Sequence, residues 1–204
     1  MNGAGFDAAL AAVAAGRIVV ISGDRLRGGD IDLMCAARHV TPEIVNFMAT
    51  YGRGLICLAV TPERATQLGL TLVNPGTARQ TGRPFARSIE AAHGVSTGIS
   101  AADRAHTVQV AMADGASHAD IHSPGHVFPL IAQPGGVLDR AAACEAAIDL
   151  ARMAGAGDAA VICSIMRDDG EMARIDDIGD LIAAHDLAVA DIAALIERLE
   201  SARV

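Results

Sequence analysis

The chain has 204 residues, of which 51% are apolar, and a formal net charge of −8 at pH 7. This length and apolar content fit one domain with a substantial core of aliphatic side chains, since only 2% of residues are aromatic. The negative charge and the lack of a basic stripe argue against nucleic-acid binding. No apolar run reaches the roughly 20 residues of a membrane-spanning helix.

Helix and strand signals alternate along the chain, which predicts an α/β fold, or α+β with a mixed sheet, in a single domain over residues 1–204. The predicted order is helix 6–15, strand 17–22, polar loop 23–31, strand 33–37, helix 41–51, strand 55–60, a helix from 61, a long mobile loop at 73–84, strand 85–91, helix 101–113, strand 126–132, helix 144–154, strand 159–166, and helices 178–185 and 190–201. Thr41 and Thr61 are the expected N-caps of their helices.

All sixteen basic residues are arginine, and lysine is absent. This excludes Schiff-base chemistry, a pyridoxal-phosphate lysine and a P-loop, each of which requires lysine. Arginine is then the side-chain cation suited to holding a phosphate, which it binds bidentately. The four cysteines lack CxxC spacing, so we expect a cytoplasmic protein with free thiols.

The stretch 94–155 contains two segments that are dense in glycine, proline and small polar residues, as is typical of loops around a small ligand. Its motifs, with one further motif downstream, resemble those of the 3,4-dihydroxy-2-butanone 4-phosphate synthase family over about residues 18–196. The matching motifs are TGISAADR (97–104), PGHVFPL (124–130), QPGGVL (133–138), EAAIDLARMAG (145–155) and DGEMAR (169–174).

The resemblance implies one synthase-like α/β domain, a homodimer with active sites at the subunit interface, and a place in riboflavin biosynthesis. The family reaction is lyase-like and converts ribulose 5-phosphate to the butanone phosphate and formate. A divalent ion, usually magnesium, stabilises charge on vicinal oxygens in that family.

The resemblance also assigns positions in the family's first acidic loop, which matches GDRLRGGDIDL (23–33) here. Arg27 and Asp32 are retained, and we expect both to bind substrate, as we do Thr97 of the TGIS motif. The family's metal-binding glutamate falls on Gly28.

The family's second loop matches RAAACE (140–145). Arg140 is retained as an expected substrate ligand and Glu145 as an expected catalytic residue. The metal-binding histidine falls on Ala143 and the adjacent threonine on Cys144. With Gly28 and Ala143 at both metal-ligand positions, we expect no metal site and no cofactor.

Three further positions complete the comparison. The histidine of PGHVF is retained as His126, an expected acid or base. The arginine before that motif falls on Ser123, and an essential glutamate falls on Ser164. We also expect Cys144, beside His126, to be a candidate nucleophile.

Each candidate has a structural alternative. His126 could be a structural histidine after the Pro-Gly turn, and Cys144 a near-isosteric replacement for threonine. Arg27 and Arg140 could form surface ion pairs with aspartates such as Asp24, Asp30 or Asp139. Asp32 could satisfy backbone N–H groups in a turn.

His118, His122 and His126 recur every four residues, a spacing that would align them on one helical face as a zinc site. Pro124 and Gly125 interrupt any helix there, so a solvent loop is the alternative reading.

Three functional hypotheses follow. The first is a diverged, metal-independent enzyme that acts on a small anionic or polyhydroxylated substrate through the retained His/Arg/Asp pocket. The second is a working synthase in which other residues supply the missing groups. The third is a non-catalytic binding or regulatory dimer.

Overall fold

The computed structural model describes residues 3–75 and 83–202, so most of the loop predicted at 73–84 lies outside the described residues. Within these ranges one mixed sheet has the order β4-β5-β3-β6-β2-β1-β7, with β1–β7 and β3–β5 parallel and the other neighbours antiparallel. Its strands are β1 Val19–Asp24, β2 Asp30–Ala36, β3 Cys57–Val60, β4 Ile89–Ala91, β5 Ile121–Ile131, β6 Ala160–Ser164 and β7 Ala188–Asp191. The predicted α/β class with a mixed sheet is confirmed.

Helices cover both faces of this sheet. They are α1 Gly3–Ala14, α2 Pro42–Phe47, α3 Pro62–Gln67, α4 Ala101–Met112, α5 Ala143–Met153, α6 Gly179–His185 and α7 Ile192–Ser201. The predicted caps are confirmed, because the Thr41 and Thr61 hydroxyls accept the backbone N–H groups of the first helical turn. The α2 helix is shorter than predicted, since the chain continues as a π-helical turn over Met48–Gly52.

Side chains of the central strands point alternately to the two faces of the sheet and so belong to two separate apolar layers. In β2, Leu33 and Cys35 pack with α2 and α4, whereas Met34 and Ala36 pack with α1, α5 and α7. Successive strand residues point to opposite faces, so a strand buried on both faces reads as a continuous apolar run. Asp32 interrupts that run near the start of β2, on the face that α5 covers.

The strands nearest the sheet edges differ most from the prediction. The prediction missed β7 and started β5 five residues late, because Pro124 and Gly125 indicated a break. The chain instead keeps pairing through a bulge, since Ile89 is opposite Val127 while Glu90 is opposite His122. No helix in the described part of the chain is long and apolar enough to cross a membrane.

Candidate active site

Arg27 lies at the centre of a cluster of carboxylates at the ends of β1 and β2. Its Nε donates to Asp24 at 2.8 Å, its Nη2 pairs with Asp32, and its Nη1 lies 3.7 Å from Asp30. The Arg27 side chain is only 7% exposed, and those of Asp24 and Asp32 are 1% and 0% exposed. Arg27 therefore forms buried ion pairs rather than the surface pairs considered as its structural alternative.

Electrostatics keep this guanidinium charged. Burial alone would lower the pKa of Arg27, but the carboxylates of Asp32 and Asp24 outweigh burial and raise it above its ordinary value. The turn Arg25–Arg27 is fixed by Asp24, whose Oδ1 accepts the Arg27 backbone N–H at 3.2 Å. These ion pairs thus hold the loop between β1 and β2 in one place.

Asp32 is also bound from the neighbouring strand. The Ser164 hydroxyl, at the end of β6, donates to Asp32 Oδ1 at 2.7 Å. Arg83 Nη2 donates to Ser164 Oγ and lies 3.6 Å from Asp32 Oδ1. Among the described residues, the recorded partners of Asp32 are therefore side chains, including those of β6 and of residue 83, rather than backbone N–H groups of a turn.

A second ion pair lies at the N-terminus of α5. Arg140 Nη2 is 2.8 Å from Glu145 Oε1, which also accepts the Gln133 backbone N–H at 2.9 Å. Glu145 is fully buried, and its Oε2 has no hydrogen-bond partner among the described residues. Burial raises the pKa of Glu145, and the opposing charge of Arg140 does not cancel this effect. Burial thus disfavours the charged form of Glu145, whereas Arg140 and the Gln133 N–H favour that form.

The two ion pairs belong to one region. The backbone N–H of Ala143, in the first turn of α5, donates to Asp24 Oδ2 at 2.9 Å. Asp24 therefore joins the Arg27 cluster to the segment that carries Arg140 and Glu145. Four of the predicted site residues (Arg27, Asp32, Arg140 and Glu145) come together in this way.

Cys144 lies beside these residues but is poorly suited to nucleophilic attack. It is 3% exposed, and its thiol contacts the Leu130 carbonyl oxygen at 3.8 Å. Burial raises the pKa of this thiol well above its ordinary value, with the nearby Glu145 charge acting in the same direction. Because the thiolate is the reactive form, these features favour a structural role for Cys144.

His126 forms a separate group with a residue that the sequence analysis missed. Its Nδ1 lies 2.9 Å from Glu90 Oε1, and the two side chains are 42% and 20% exposed. Among the described residues, this pair shares no hydrogen bond or ion pair with the Arg27 cluster. Thr97 is exposed in the loop before α4, where its neighbour Gly98 packs against Glu90.

The helical alignment of His118, His122 and His126 does not form. His118 lies in a short 3-10 turn, while His122 and His126 lie in β5. In residues 3–75 and 83–202, no group of three or more His, Cys, Asp or Glu side chains is arranged to hold a metal ion.

Comparison with known proteins places these observations in a family. The model of the family described as 3,4-dihydroxy-2-butanone 4-phosphate synthase matches residues 7–198. A protein of that name from Pseudomonas aeruginosa is 51% identical over 181 residues, which cover 89% of this chain and 50% of the relative. "Riboflavin biosynthesis protein RibBA" from Aquifex aeolicus is 50% identical over 184 residues, covering 89% of this chain and 45% of the relative. The chain thus spans about half the length of these curated relatives.

A solved structure extends the likeness to the fold. A 3,4-dihydroxy-2-butanone 4-phosphate synthase "in complex with two Magnesium ions" has a TM-score of 0.88 and 35% identity, with 96% of each chain covered. The expectation that no cofactor is involved is wrong, because this related enzyme of the same fold was solved with two magnesium ions. The relatives' names also favour the working-synthase hypothesis over the diverged-enzyme hypothesis.

Proposed function

Because the chain belongs to the 3,4-dihydroxy-2-butanone 4-phosphate synthase family, we propose that it catalyses the family reaction in riboflavin biosynthesis. The reaction converts ribulose 5-phosphate to 3,4-dihydroxy-2-butanone 4-phosphate and formate. The observation that carries the proposal is the family match over residues 7–198, together with relatives about half identical in sequence. The polar groups at the ends of β1, β2 and β6 supply a site of suitable chemistry.

Each retained residue is assigned a role from the family resemblance and from the chemistry of its side chain. Arg27 and Arg140 are cations suited to a phosphate or to developing negative charge. Asp32 is a buried carboxylate that can orient substrate hydroxyl groups. His126 and Glu145 are the groups we assign to proton transfer, since His126 is accessible and burial raises the pKa of Glu145.

Magnesium belongs to this proposal, and the carboxylates that could donate oxygen to it at the Arg27 cluster are at present paired with arginine side chains. Magnesium keeps several waters and is usually held by one or two carboxylates together with substrate oxygens. Asp30, whose side chain is 14% exposed, and Asp32 are the residues that would hold it. When bound, the ion would supply Lewis-acid stabilisation of charge on the substrate oxygens. It would compete with Arg27 for these carboxylates. They would replace the family's two metal ligands, whose positions are occupied here by Gly28 and Ala143.

We also propose a homodimer whose active sites are completed across the interface. Among the described residues the Arg27 cluster and the His126–Glu90 pair share no hydrogen bond or ion pair, which is compatible with sites completed by two copies. A cavity of about 600 Å³, lined partly by Leu55, Val73 and Phe128, lies on the surface near β5. Leu55 and Val73 are 50% and 63% exposed, an apolar pair suited to burial by a second copy.

Formate release tests the activity directly. We expect the purified protein to release formate from ribulose 5-phosphate with magnesium, and to lose this activity with EDTA or in His126→Ala. The control His118→Ala changes an exposed histidine outside the proposed site and should keep the activity. If the wild type with magnesium releases no formate above the enzyme-free background, the proposal is wrong.

A second candidate function is a diverged family member that acts on another small anionic or polyhydroxylated substrate. The observation in its favour is that Gly28, Ala143 and Ser164 occupy the positions of two metal ligands and an essential glutamate in the resemblance. Arg83, which bonds Ser164, adds a cation at this place. Thermal unfolding in the presence of a panel of sugar phosphates distinguishes the two candidate functions. The diverged enzyme should be stabilised by a compound other than ribulose 5-phosphate. If no compound stabilises the protein and no formate forms, a non-catalytic binding role is favoured instead.

A further inference from the structure

The Glu90–His126 pair defines the orientation of the imidazole. An ionised carboxylate only accepts hydrogen bonds, so Nδ1 of His126 must donate its proton to Glu90 Oε1, 2.9 Å away. In the neutral ring the lone pair is then on Nε2, at the far edge from Glu90. We infer that Glu90 is a positioning residue, which holds His126 in the Nδ1–H tautomer and leaves Nε2 free to take a proton from the substrate. This inference rests on the proposed function, in which His126 transfers protons.

The backbone of β5 is shaped to bring His126 to Glu90. Between adjacent residues Ile89 and Glu90 of β4, the pairing on β5 jumps from Val127 to His122, so residues 123–126 form a four-residue bulge. His126 is the last residue of this bulge. The bulge therefore turns His126 towards Glu90, although His122 is the residue directly opposite Glu90 in register.

Gly125 fixes the bulge against β4. A Cβ at this position would lie 2.2 Å from the Ile89 carbonyl carbon and 2.5 Å from the Glu90 backbone nitrogen. The Gly125 N–H also donates to Ser88 Oγ at 3.2 Å. A rigid contact with the Glu90 backbone thus sets the position of His126 relative to the Glu90 carboxylate.

Gly98 confines the carboxylate from the other side. A Cβ at Gly98 would lie 1.0 Å from Glu90 Oε1, and its φ of +81° favours glycine. Asp103 holds the loop there, since its carboxylate accepts the backbone N–H groups of Ser96 and Gly98. Glu90 therefore lies between the loop that carries Thr97 and the imidazole of His126. The space that glycine leaves at position 98 is thus occupied by the Glu90 carboxylate.

The tautomer of His126 tests the contact without reference to activity. Nitrogen-15 NMR of histidine-labelled protein should show Nδ1–H and a free Nε2 for neutral His126 in the wild type and in Glu90→Asp. In Glu90→Ala the ring should move towards the Nε2–H tautomer that free imidazole prefers. The control Glu197→Gln changes an exposed carboxylate on α7 and should leave the His126 signals unchanged. A wild type in the Nε2–H form, or a tautomer that ignores Glu90→Ala, would overturn the inference.

Kinetics tests the consequence for the reaction. We expect Glu90→Ala to lower kcat about 10–100-fold, the range found for residues that orient metal-bound histidines, with KM nearly unchanged and Glu90→Asp keeping part of kcat. Unchanged kcat in folded Glu90→Ala would overturn the positioning role. Should Glu90→Ala not fold, Gly98→Ala keeps the carboxylate but displaces it and should shift the His126 tautomer in the same direction. If the wild type releases no formate, the proposed function is wrong. The NMR result still shows whether Glu90 sets the tautomer of His126.

Discussion

Arg27 shows how the site is held together at the scale of single residues. Its guanidinium is nearly buried between Asp24 and Asp32, which are themselves buried, while Asp30 is more accessible and also pairs with Arg174. A buried ion pair contributes little net stability compared with apolar packing, because both charges lose their hydration. Removing Arg27 is much more costly, since Asp24 would lose its ion pair while buried and Asp32 would keep, among the described residues, only Arg83 as a charged partner, at 3.6 Å. The cluster therefore depends on every member being present.

Replacing Arg27 by alanine should lower the free energy of unfolding by about 3–5 kcal/mol, because Asp24 and Asp32 lose their buried partner. The matched control is Arg17→Ala, which removes an exposed pair with Asp186 at 3.2 Å and should cost at most about 1 kcal/mol. Urea denaturation followed by circular dichroism measures both. Equal effects for the two variants would show that the Arg27 cluster is not structurally important.

The thiols should be unreactive in the folded protein. Burial raises the pKa of Cys35, Cys57 and Cys163 to about 12 and that of Cys144 well above its ordinary value. Ellman's reagent at pH 8 should therefore label all four slowly in the native protein and rapidly after unfolding. A single fast thiol that disappears in Cys144→Ala would restore the nucleophile hypothesis.

The same pKa shifts predict a loss of stability in alkali. For Cys35, Cys57 and Cys163 the folded pKa of about 12 exceeds the ordinary value of 9.0, so the unfolded state releases protons first. Their contribution is complete below pH 9 and is lost as the pH rises towards 12. Cys163→Ala should weaken this alkaline dependence, measured as unfolding free energy against pH, and an unchanged slope would contradict the burial argument.

The sequence predicted individual site residues better than the residues to which they bond. The family motifs pointed to Arg27, Asp32 and His126, but Glu90 and Arg83 were missed. Glu90 is 36 positions from His126, and Arg83 is 81 positions from Ser164. Such pairs come together only through the sheet order, and no local spacing signals them. The one indication of a role for Glu90 in the sequence was that it is an acidic residue within a short, otherwise apolar strand.

At the scale of elements, local signals predicted the helices and the central strands. Capping threonines and continuous apolar runs are local features, so the starts of α2 and α3 and the positions of β3 and β6 agree with expectation. The β7 strand was missed because its four residues pair in parallel with β1, more than 160 positions away in the chain. Its existence depends on the assembled sheet.

Gly54 shows how one element constrains another at the site. A Cβ there would lie 2.6 Å from the carbonyl oxygen and 3.0 Å from the backbone nitrogen of Ser164, at the end of β6. Because backbone atoms cannot move aside, Gly54→Ala should push Ser164 from Asp32 and cost about 1–3 kcal/mol of unfolding free energy.

The control for Gly54 is Gly179→Ala at the start of α6, where a Cβ meets nothing within 4 Å. That change should be neutral or stabilise the protein by up to about 1 kcal/mol, because alanine has less backbone freedom in the unfolded chain. Thermal unfolding compares the two variants. A Gly54→Ala protein as stable as Gly179→Ala would contradict the close packing of residue 54 on β6.

At the scale of the whole molecule, the sheet separates the proposed catalytic groups. The Arg27 cluster lies where β1, β2 and β6 meet the N-terminus of α5, whereas His126 lies on β5 beside the edge strand β4. Between them in the sheet order runs β3. A two-fold dimer would let the His126 pair of one copy complete the cluster of the other, because a symmetric interface repeats each contact twice.

Mixing two inactive variants tests this arrangement. Arg27→Lys should lose the paired geometry of its guanidinium while keeping the charge, and His126→Ala should lose the proton-transfer group. After the two proteins are unfolded and refolded together, random pairing places both wild-type residues in about a quarter of all shared sites. We therefore expect formate release at about a quarter of the wild-type rate, and none from either variant alone. If each site were built within one chain, the mixture would stay inactive while light scattering still showed dimers, and the shared-site proposal would fail.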